Sequence, residues 1–269
     1  MKLRIASYNI HKGMSAFGRE TRIHGLKQAI DLLDADLVFL QEVQGQHDFH
    51  AENHTHWPEI GQHEFLAGES HESAYGMNAV YEHGHHGNAL LSRFPIASFV
   101  NYDVSDHAYE QRGILHAVVK INSIDVHCFV IHLGLFAVSR RRQIQALIKE
   151  IKDGLAFDAP LIIAGDFNDW SKRLSQTLYK ELGVVEAFDV EEVQKSSKFS
   201  IKGMRSMLNM TQTTHARTFP AGMPWLCLDR VYLRGFIVDK AEVLSGSPWT
   251  GLSDHVPIVV NLSLPDNVA

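Results

Sequence analysis

Cysteine is nearly absent, with two in 269 residues, Cys128 and Cys227. Each sits in an apolar stretch, VHCFV and PWLCLDRVY. The chain therefore has no disulfide framework and no zinc-ligand spacing, and both thiols read as small buried hydrophobes. Also lacking is any window near the roughly 20 apolar residues that a membrane-spanning helix needs. The opening MKLRIASYNI enters strand-like alternation at once and has no apolar block of signal-peptide length. The expectation is a cytoplasmic protein without an integral membrane segment. Positive charge is in short supply: 25 Lys and Arg stand against 31 Asp and Glu, a net −6. That balance counts against a general polyanion binder, although a local basic patch could survive inside it. Low-complexity segments and Ser/Gly linkers are missing too, so residues 1–269 are expected to form one domain.

What is present is mostly strand. LRIASYN, ADLVFLQ, NAVYE, NALLS, ILHAVVKI, IDVHCFVIH, PLIIAGD, LDRVYL, FIVDKAEVL and VPIVVNLSL are short, apolar and often β-branched. Helical spacing stands out twice. Residues 22–34 align Ile23, Leu26, Ile30 and Leu33; residues 139–153 align Ile144, Leu147, Ile148 and Ile151, with Ser139 as N-cap and Gly154 as stop. Arg140 to Arg142 read as a solvated face rather than a phosphate clamp. Residues 189–212 read as an irregular or helical excursion. Hairpin-like strand pairs mixed with single helices imply an α/β fold, two sheets packed face to face with helices outside. A weak internal echo runs through the chain, each half carrying a strand, a polar loop, a helix and later strands ending in His.

The stretch AGDFNDW follows a greasy run and sets out Asp166, Asn168 and Asp169 together. A surface turn could use these residues for backbone tolerance alone. Other strand ends carry similar chemistry: Asn9, Gln41 and Glu42, His132, Asp229, and Ser253-Asp254-His255. Strand ends gathered on one edge of a layered α/β fold are where sites are built. These residue types suit metal-assisted phosphoester hydrolysis. A hard divalent cation takes carboxylate oxygens, with Glu42 the best candidate and Asp254 helping directly or through water. Asp166 could accept a proton from the attacking water, and Asn168 could hold that water or a phosphate oxygen. His132 and His255 could donate to phosphoryl oxygens, with Asp229 holding one imidazole in its tautomer.

YNIH, LQEV, GNALLSRFPI, QRG, IHLG, AGDFND, LDRVY and SDHVPI, in this order, resemble the endonuclease/exonuclease/phosphatase superfamily, the DNase I-like enzymes. The resemblance runs from Asn9 to His255 and is nearest to bacterial members of undefined substrate. It implies a four-layered α/β sandwich, two packed mixed sheets flanked by helices. It also implies Glu42 on a Mg²⁺ ion (Mn²⁺ being the alternative), with Asn9 and Asp254 beside it. Asp166 becomes base or water anchor, Asn168 the substrate orienter, Asp229 the partner of His255, and His255 a phosphate contact. His132 stands where the repair endonucleases have Tyr, which brings the chain closer to DNase I and the sphingomyelinases. His11 replaces an acid of the repair enzymes, and with Arg112 it is a candidate substrate contact; for Arg112 a strand-edge salt bridge is an equal reading. The acid that orients His132 is open, Glu110 being one candidate. The expected substrate is nucleic acid, with a phospholipid headgroup or small phosphodiester as runner-up and a non-catalytic binding module third. The His-rich tracts HAENHTHW and EHGHHGN read as polar loops near the cleft rim rather than a transition-metal site, with His85 or His86 near substrate.

Overall fold

The computed structural model describes residues 1–15, 20–107, 109–189 and 216–265. Two six-stranded mixed sheets lie face to face. The first has the order β11 (Ile237–Val243), β12 (Ile258–Ser263), β1 (Lys2–Asn9), β2 (Leu37–His47), β4 (Gly84–Ser92), β3 (Glu72–Tyr81). The second runs β5 (Ile96–Asp103), β6 (Gly113–Ile121), β7 (Ile124–His132), β8 (Leu161–Asp166), β10 (Asp229–Arg234), β9 (Val185–Glu186). In each sheet the central pair, β1 with β2 and β7 with β8, is parallel and the other pairings are antiparallel. Parallel neighbours need a crossover. Helix α1 (Ile23–Leu33) supplies one and α4 (Ala137–Gly154) the other. The internal echo is therefore a repeated strand–helix–strand centre.

The core divides into the expected four layers. Leu3, Ile5, Phe39, Leu90, Val130, Ile162 and Val231 pack between the sheets. Ile23, Leu26, Ile30 and Leu33 of α1 cover the outer face of the first sheet, against Tyr8, Leu40 and Val259. Ile144, Leu147, Ile148 and Ile151 of α4 cover the second, together with Leu174, Leu178 and Leu182 of α5 (Arg173–Leu182). Those leucines are spaced by four, a helical signal that sequence reading passed over. Two short helices, α2 (Asp48–Asn53) and α3 (Gln62–Ala67), follow β2. Strands β5 and β9 were not anticipated. The consecutive Phe99 and Val100 of β5 point to opposite faces and are both exposed, so pairing with β6 rather than burial defines the strand.

Two details of α4 differ from expectation. Its N-cap is Phe136, not Ser139, which lies inside the first turn and donates its hydroxyl to Asp106 Oδ2 at 2.7 Å. Arg140 is buried rather than solvated, donating from Nη1 to the carbonyls of Gly134 and Leu135 and lying over the Trp170 ring. Arg142 matches the solvated reading, exposed and paired with Asp106. All but the first residue of the 189–212 excursion lies outside the described residues.

Candidate active site

Strand register assembles half of the site directly. Asp166 closes β8; across the sheet it pairs with His132 on β7 and with Asp229 on β10. A side chain at residue 165 would put Cβ 1.9 Å from Ile131 O, so only glycine lets β8 close on β7 here. The other half comes from the first sheet, where Asn9 ends β1 beside Gln41 of β2. Asn9 joins the halves: its Nδ2 lies 3.3 Å from Glu42 Oε1 and 3.3 Å from Asp166 Oδ2, donating to both carboxylates. Ser253 Oγ donates to Asn9 O at 2.7 Å, which brings the C-terminal Ser-Asp-His stretch onto the end of β1.

Four functional candidates are displaced from ordinary backbone. Glu42 has φ 54° at a bulge in β2, where the pairing with β4 shifts register between Leu40 and Val43. Asn168, His11 and Lys12 have φ 49°, 47° and 58°. Such residues cost about 1–3 kcal/mol each and persist where surroundings over-determine them. For Asn168 those surroundings are explicit: its N–H donates to Asp166 Oδ1 at 2.9 Å and its Nδ2 to Leu133 O at 2.9 Å. Asp169, its neighbour in the AGDFNDW stretch, takes a structural part, accepting from Leu174 N at the start of α5 and from Ser171.

Histidines flank Asp166 on both sides. His132 Nε2 is 3.6 Å and His255 Nε2 3.8 Å from Asp166 Oδ2. His255 Nδ1 meets Asp229 Oδ2 at 2.7 Å, and the Phe219 ring packs against the imidazole. Burial alone would lower the His255 pKa, but the charges of Asp229, Asp166 and Asp254 and the Asp229 hydrogen bond push it up to about 10. His132 moves the opposite way, to about 4, because burial and the Arg112 charge outweigh Asp166 and Glu42. The two imidazoles thus differ in charge across the neutral range. Burial and the Asp229 charge raise the Asp166 carboxyl above its ordinary value. Burial would also raise Glu42, yet the charges of His132, Lys12 and His11 hold it below the usual carboxylate range.

Three expectations are modified. Glu110 does not orient His132; its Oε1 accepts from Leu135 N and lies 3.7 Å from Arg112, and the acid nearest His132 is Asp166. Arg112 follows the ion-pair reading, with Glu110 and the Leu133 and Gln111 carbonyls as its partners. His11 faces Asp254, Nδ1 to Oδ2 at 3.3 Å, and that hydrogen bond raises the imidazole while lowering the carboxyl against its burial. In the His-rich region His47 stacks on His50 with ring centroids 3.8 Å apart, and His50 packs on Trp57. Among the described residues these histidines form no group able to hold a metal ion. His86 does approach the site: burial and the charge of Lys12 lower its pKa to about 4. Sequence reading missed Lys12, whose Nζ lies 3.1 Å from Glu42 Oε2, and Gln62, whose amide ties the Lys12 carbonyl to Gln44 of β2.

Hard oxygen donors suit a divalent cation. Asp229 Oδ1 is buried and accepts no hydrogen bond from the described residues, and the buried Glu42 Oε2 has only the Lys12 ammonium beside it at 3.1 Å, so both oxygens keep lone pairs that a cation could use. Among the described residues, Asp166, Asp229 and His255 also bring ligand atoms within 4.8 Å of one another. The donor set therefore fits a hard metal ion, on Glu42 or on that buried trio.

Residues 6–255 match the Endonuclease/Exonuclease/phosphatase family. The "Uncharacterized protein YbhP" of Escherichia coli (strain K12) is 36% identical over 267 residues, 97% of this chain and 96% of that one. Among solved structures, an endonuclease/exonuclease/phosphatase from Beutenbergia cavernae DSM 12333 superposes with a TM-score of 0.70 at 18% identity, covering 98% of this chain and 72% of that one. D. rerio TDP2 complexed with single strand DNA product gives 0.68 at 18% identity, covering 97% and 99%.

Proposed function

The chain belongs to the endonuclease/exonuclease/phosphatase family, and from that premise we propose that it is a metal-dependent phosphoesterase cleaving phosphodiester bonds. One observation carries the reading: Asn9 Nδ2 bridges Glu42 and Asp166 at 3.3 Å each, while His132 and His255 lie within 4 Å of the same Asp166 oxygen. Acid, amide and imidazole from both sheets then meet around one carboxylate oxygen, the donor types that a phosphoryl group calls for. Glu42, with Asn9 and Asp254 beside it, would hold Mg²⁺ or Mn²⁺, which when bound supplies Lewis-acid neutralisation of phosphoryl charge. We assign the cation to Glu42 rather than to the Asp166–Asp229–His255 trio because the Asp229 carboxylate already holds His255 Nδ1 at 2.7 Å.

Asp166 takes the proton of the attacking water, and its raised pKa makes it a better base than a solvated carboxylate. Asn168 orients water or substrate from a left-handed backbone pinned by Asp166 and Leu133. His255, held cationic by Asp229, and His132, neutral with one N–H, donate to the phosphoryl oxygens as charge builds. Of the two candidate substrate contacts, His11 would act from its place beside Asp254, whereas Arg112 keeps its pairing with Glu110.

Nucleic acid is the leading substrate, as in the structurally similar TDP2 bound to a single-strand DNA product. A phospholipid headgroup is the second reading. It is favoured by Leu135, Phe136 and Val138, which stand 61%, 56% and 58% exposed directly after His132, with Tyr109 beside them at 80%. Hydrolysis of bis-p-nitrophenyl phosphate with Mg²⁺ or Mn²⁺ tests the reaction class; loss in Asp166→Ala and His255→Ala supports it, and unaltered rates refute it. Nicking of supercoiled plasmid at low salt, against headgroup release from phosphatidylcholine vesicles, separates the substrates.

A further inference from the structure

Residues 11–13 run through three consecutive positive φ angles, 47° at His11, 58° at Lys12 and 68° at Gly13. L-residues avoid such a succession unless their surroundings enforce it. Here the backbone around the turn is tied at several points. His11 N donates to Asn9 Oδ1 at 3.1 Å, Gly13 N to Ile10 O at 2.9 Å, and Arg22 N to Gly13 O at 2.7 Å. The Lys12 carbonyl accepts from Gln62 Nε2 at 2.8 Å. Through Oε1 the same buried side chain accepts from Gln44 N at 2.9 Å. Gln44 stands two residues beyond Glu42, so one amide clamps the loop bearing Lys12 to the strand bearing Glu42.

The clamp delivers one side-chain contact, Lys12 Nζ to Glu42 Oε2 at 3.1 Å. The ammonium stem is 38% exposed and Glu42 only 17%, so the cation stands on the open side of the carboxylate. A half-exposed ion pair adds little stability, so the Lys12–Glu42 contact is not itself a folding rationale for the turn. Other cations nearby are already committed: Arg112 to Glu110 and Leu133 O, His11 to Asp254, His255 to Asp229. Among the described residues Lys12 Nζ has no partner but Glu42.

We propose that Lys12 is a tethered cation of the reaction, sharing Glu42 with the divalent ion and lending a second positive charge to the phosphodiester, with Gln62 as its positioning residue. The proposal rests on the reading of Glu42 as the metal carboxylate. An ammonium beside that carboxylate reduces the net negative charge offered to a free divalent ion. When the anionic diester enters, the same ammonium gains a phosphoryl oxygen to face, and its charge then favours the transition state. Removing Lys12 should therefore tighten metal binding and slow turnover at once, two effects that a merely structural residue would not separate.

Calorimetric titration of the full chain with Mn²⁺, paired with turnover of bis-p-nitrophenyl phosphate, provides the test. Lys12→Met keeps the aliphatic stem without the charge; it should bind Mn²⁺ roughly three- to tenfold tighter while kcat falls about 10²-fold. Lys12→Arg should hold wild-type Mn²⁺ affinity and recover part of kcat. Gln62→Ala should shift both quantities in the same directions as Lys12→Met, by smaller factors. Unchanged or weaker Mn²⁺ binding in Lys12→Met, or undiminished turnover, overturns the proposal. Should the wild type hydrolyse no phosphodiester, the phosphoesterase reading falls instead, and the Mn²⁺ comparison still decides whether Lys12 competes for Glu42.

Discussion

Asp229 and His255, 26 residues apart in the chain, meet at 2.7 Å between Oδ2 and Nδ1. The carboxylate is 1% exposed and the imidazole 5%, so the charge of one is compensated chiefly by the other. That relationship sets the protonation state on which the proposed chemistry depends.

Asp229→Asn keeps the shape of this contact and removes its charge. His255 then loses the largest influence that raises its pKa, and the alkaline limb of the pH–rate profile should move from near pH 10 toward neutrality. Turnover at pH 8 should fall about 10²- to 10⁴-fold, the range for losing a group that orients and charges a catalytic histidine. A pH–rate profile of the variant on a diester checks both; an unmoved alkaline limb would show that His255 does not titrate under Asp229 control.

Stability should vary with pH in opposite senses at the two histidines. His255 has a folded pKa raised above its unfolded value, so its contribution is fully present below about pH 6.5 and is lost as pH rises through about 10. His132 has a lowered folded pKa, so its contribution is present above about pH 6.5 and is lost as pH falls through about 4. Thermal melts in chelator from pH 4 to 10 should reveal both limbs. His132→Asn should flatten the acid limb and Asp229→Asn the alkaline one.

Glu42→Gln removes the proposed metal carboxylate while conserving its size. Mn²⁺ affinity should fall at least about tenfold, since a charged oxygen donor is exchanged for a neutral one. The direction is opposite to that expected for Lys12→Met, although both substitutions delete one charge of the same ion pair. Dialysis against EDTA should abolish turnover, and added Mg²⁺ or Mn²⁺ should restore it.

Among the described residues Arg230 is the largest fully buried side chain; it holds Glu186 through Nη1 at 3.0 Å, and Asp169 O and Cys227 O through Nη2 at 2.7 and 3.2 Å. Arg230→Met should cost about 3–5 kcal/mol by urea denaturation, because Glu186 stays buried with only Lys172 nearby at 3.4 Å. The double variant with Glu186→Leu should recover much of that loss. A deficit as large in the double as in the single variant would mean that Arg230 acts through the two carbonyls instead.

Much of the architecture was legible because burial has a period. The stripes on α1 and α4 and the apolar runs of the central strands announce one buried face each, and a strand that ends in Asp or His must leave that residue at a sheet edge. Ser139 misled because an N-cap is a local pattern, whereas its hydroxyl found Asp106, 33 residues away. Arg140 misled in the same way, its guanidinium being drawn under the loop after β7 by carbonyls that carry no signature in sequence.

The residue types by themselves determined that acids, amides and imidazoles would stand at strand ends, since polar groups cannot remain inside an apolar run without partners. Only the tertiary structure decided which of them meet. Register put His132, Asp166 and Asp229 abreast on three neighbouring strands, and Asn9 crossed from the other sheet to join Glu42 to Asp166. The Lys12 turn and the Gln62 clamp were invisible beforehand for the same reason. Three left-handed residues are stable only where bonds from distant segments hold them, and those bonds belong to the folded chain alone.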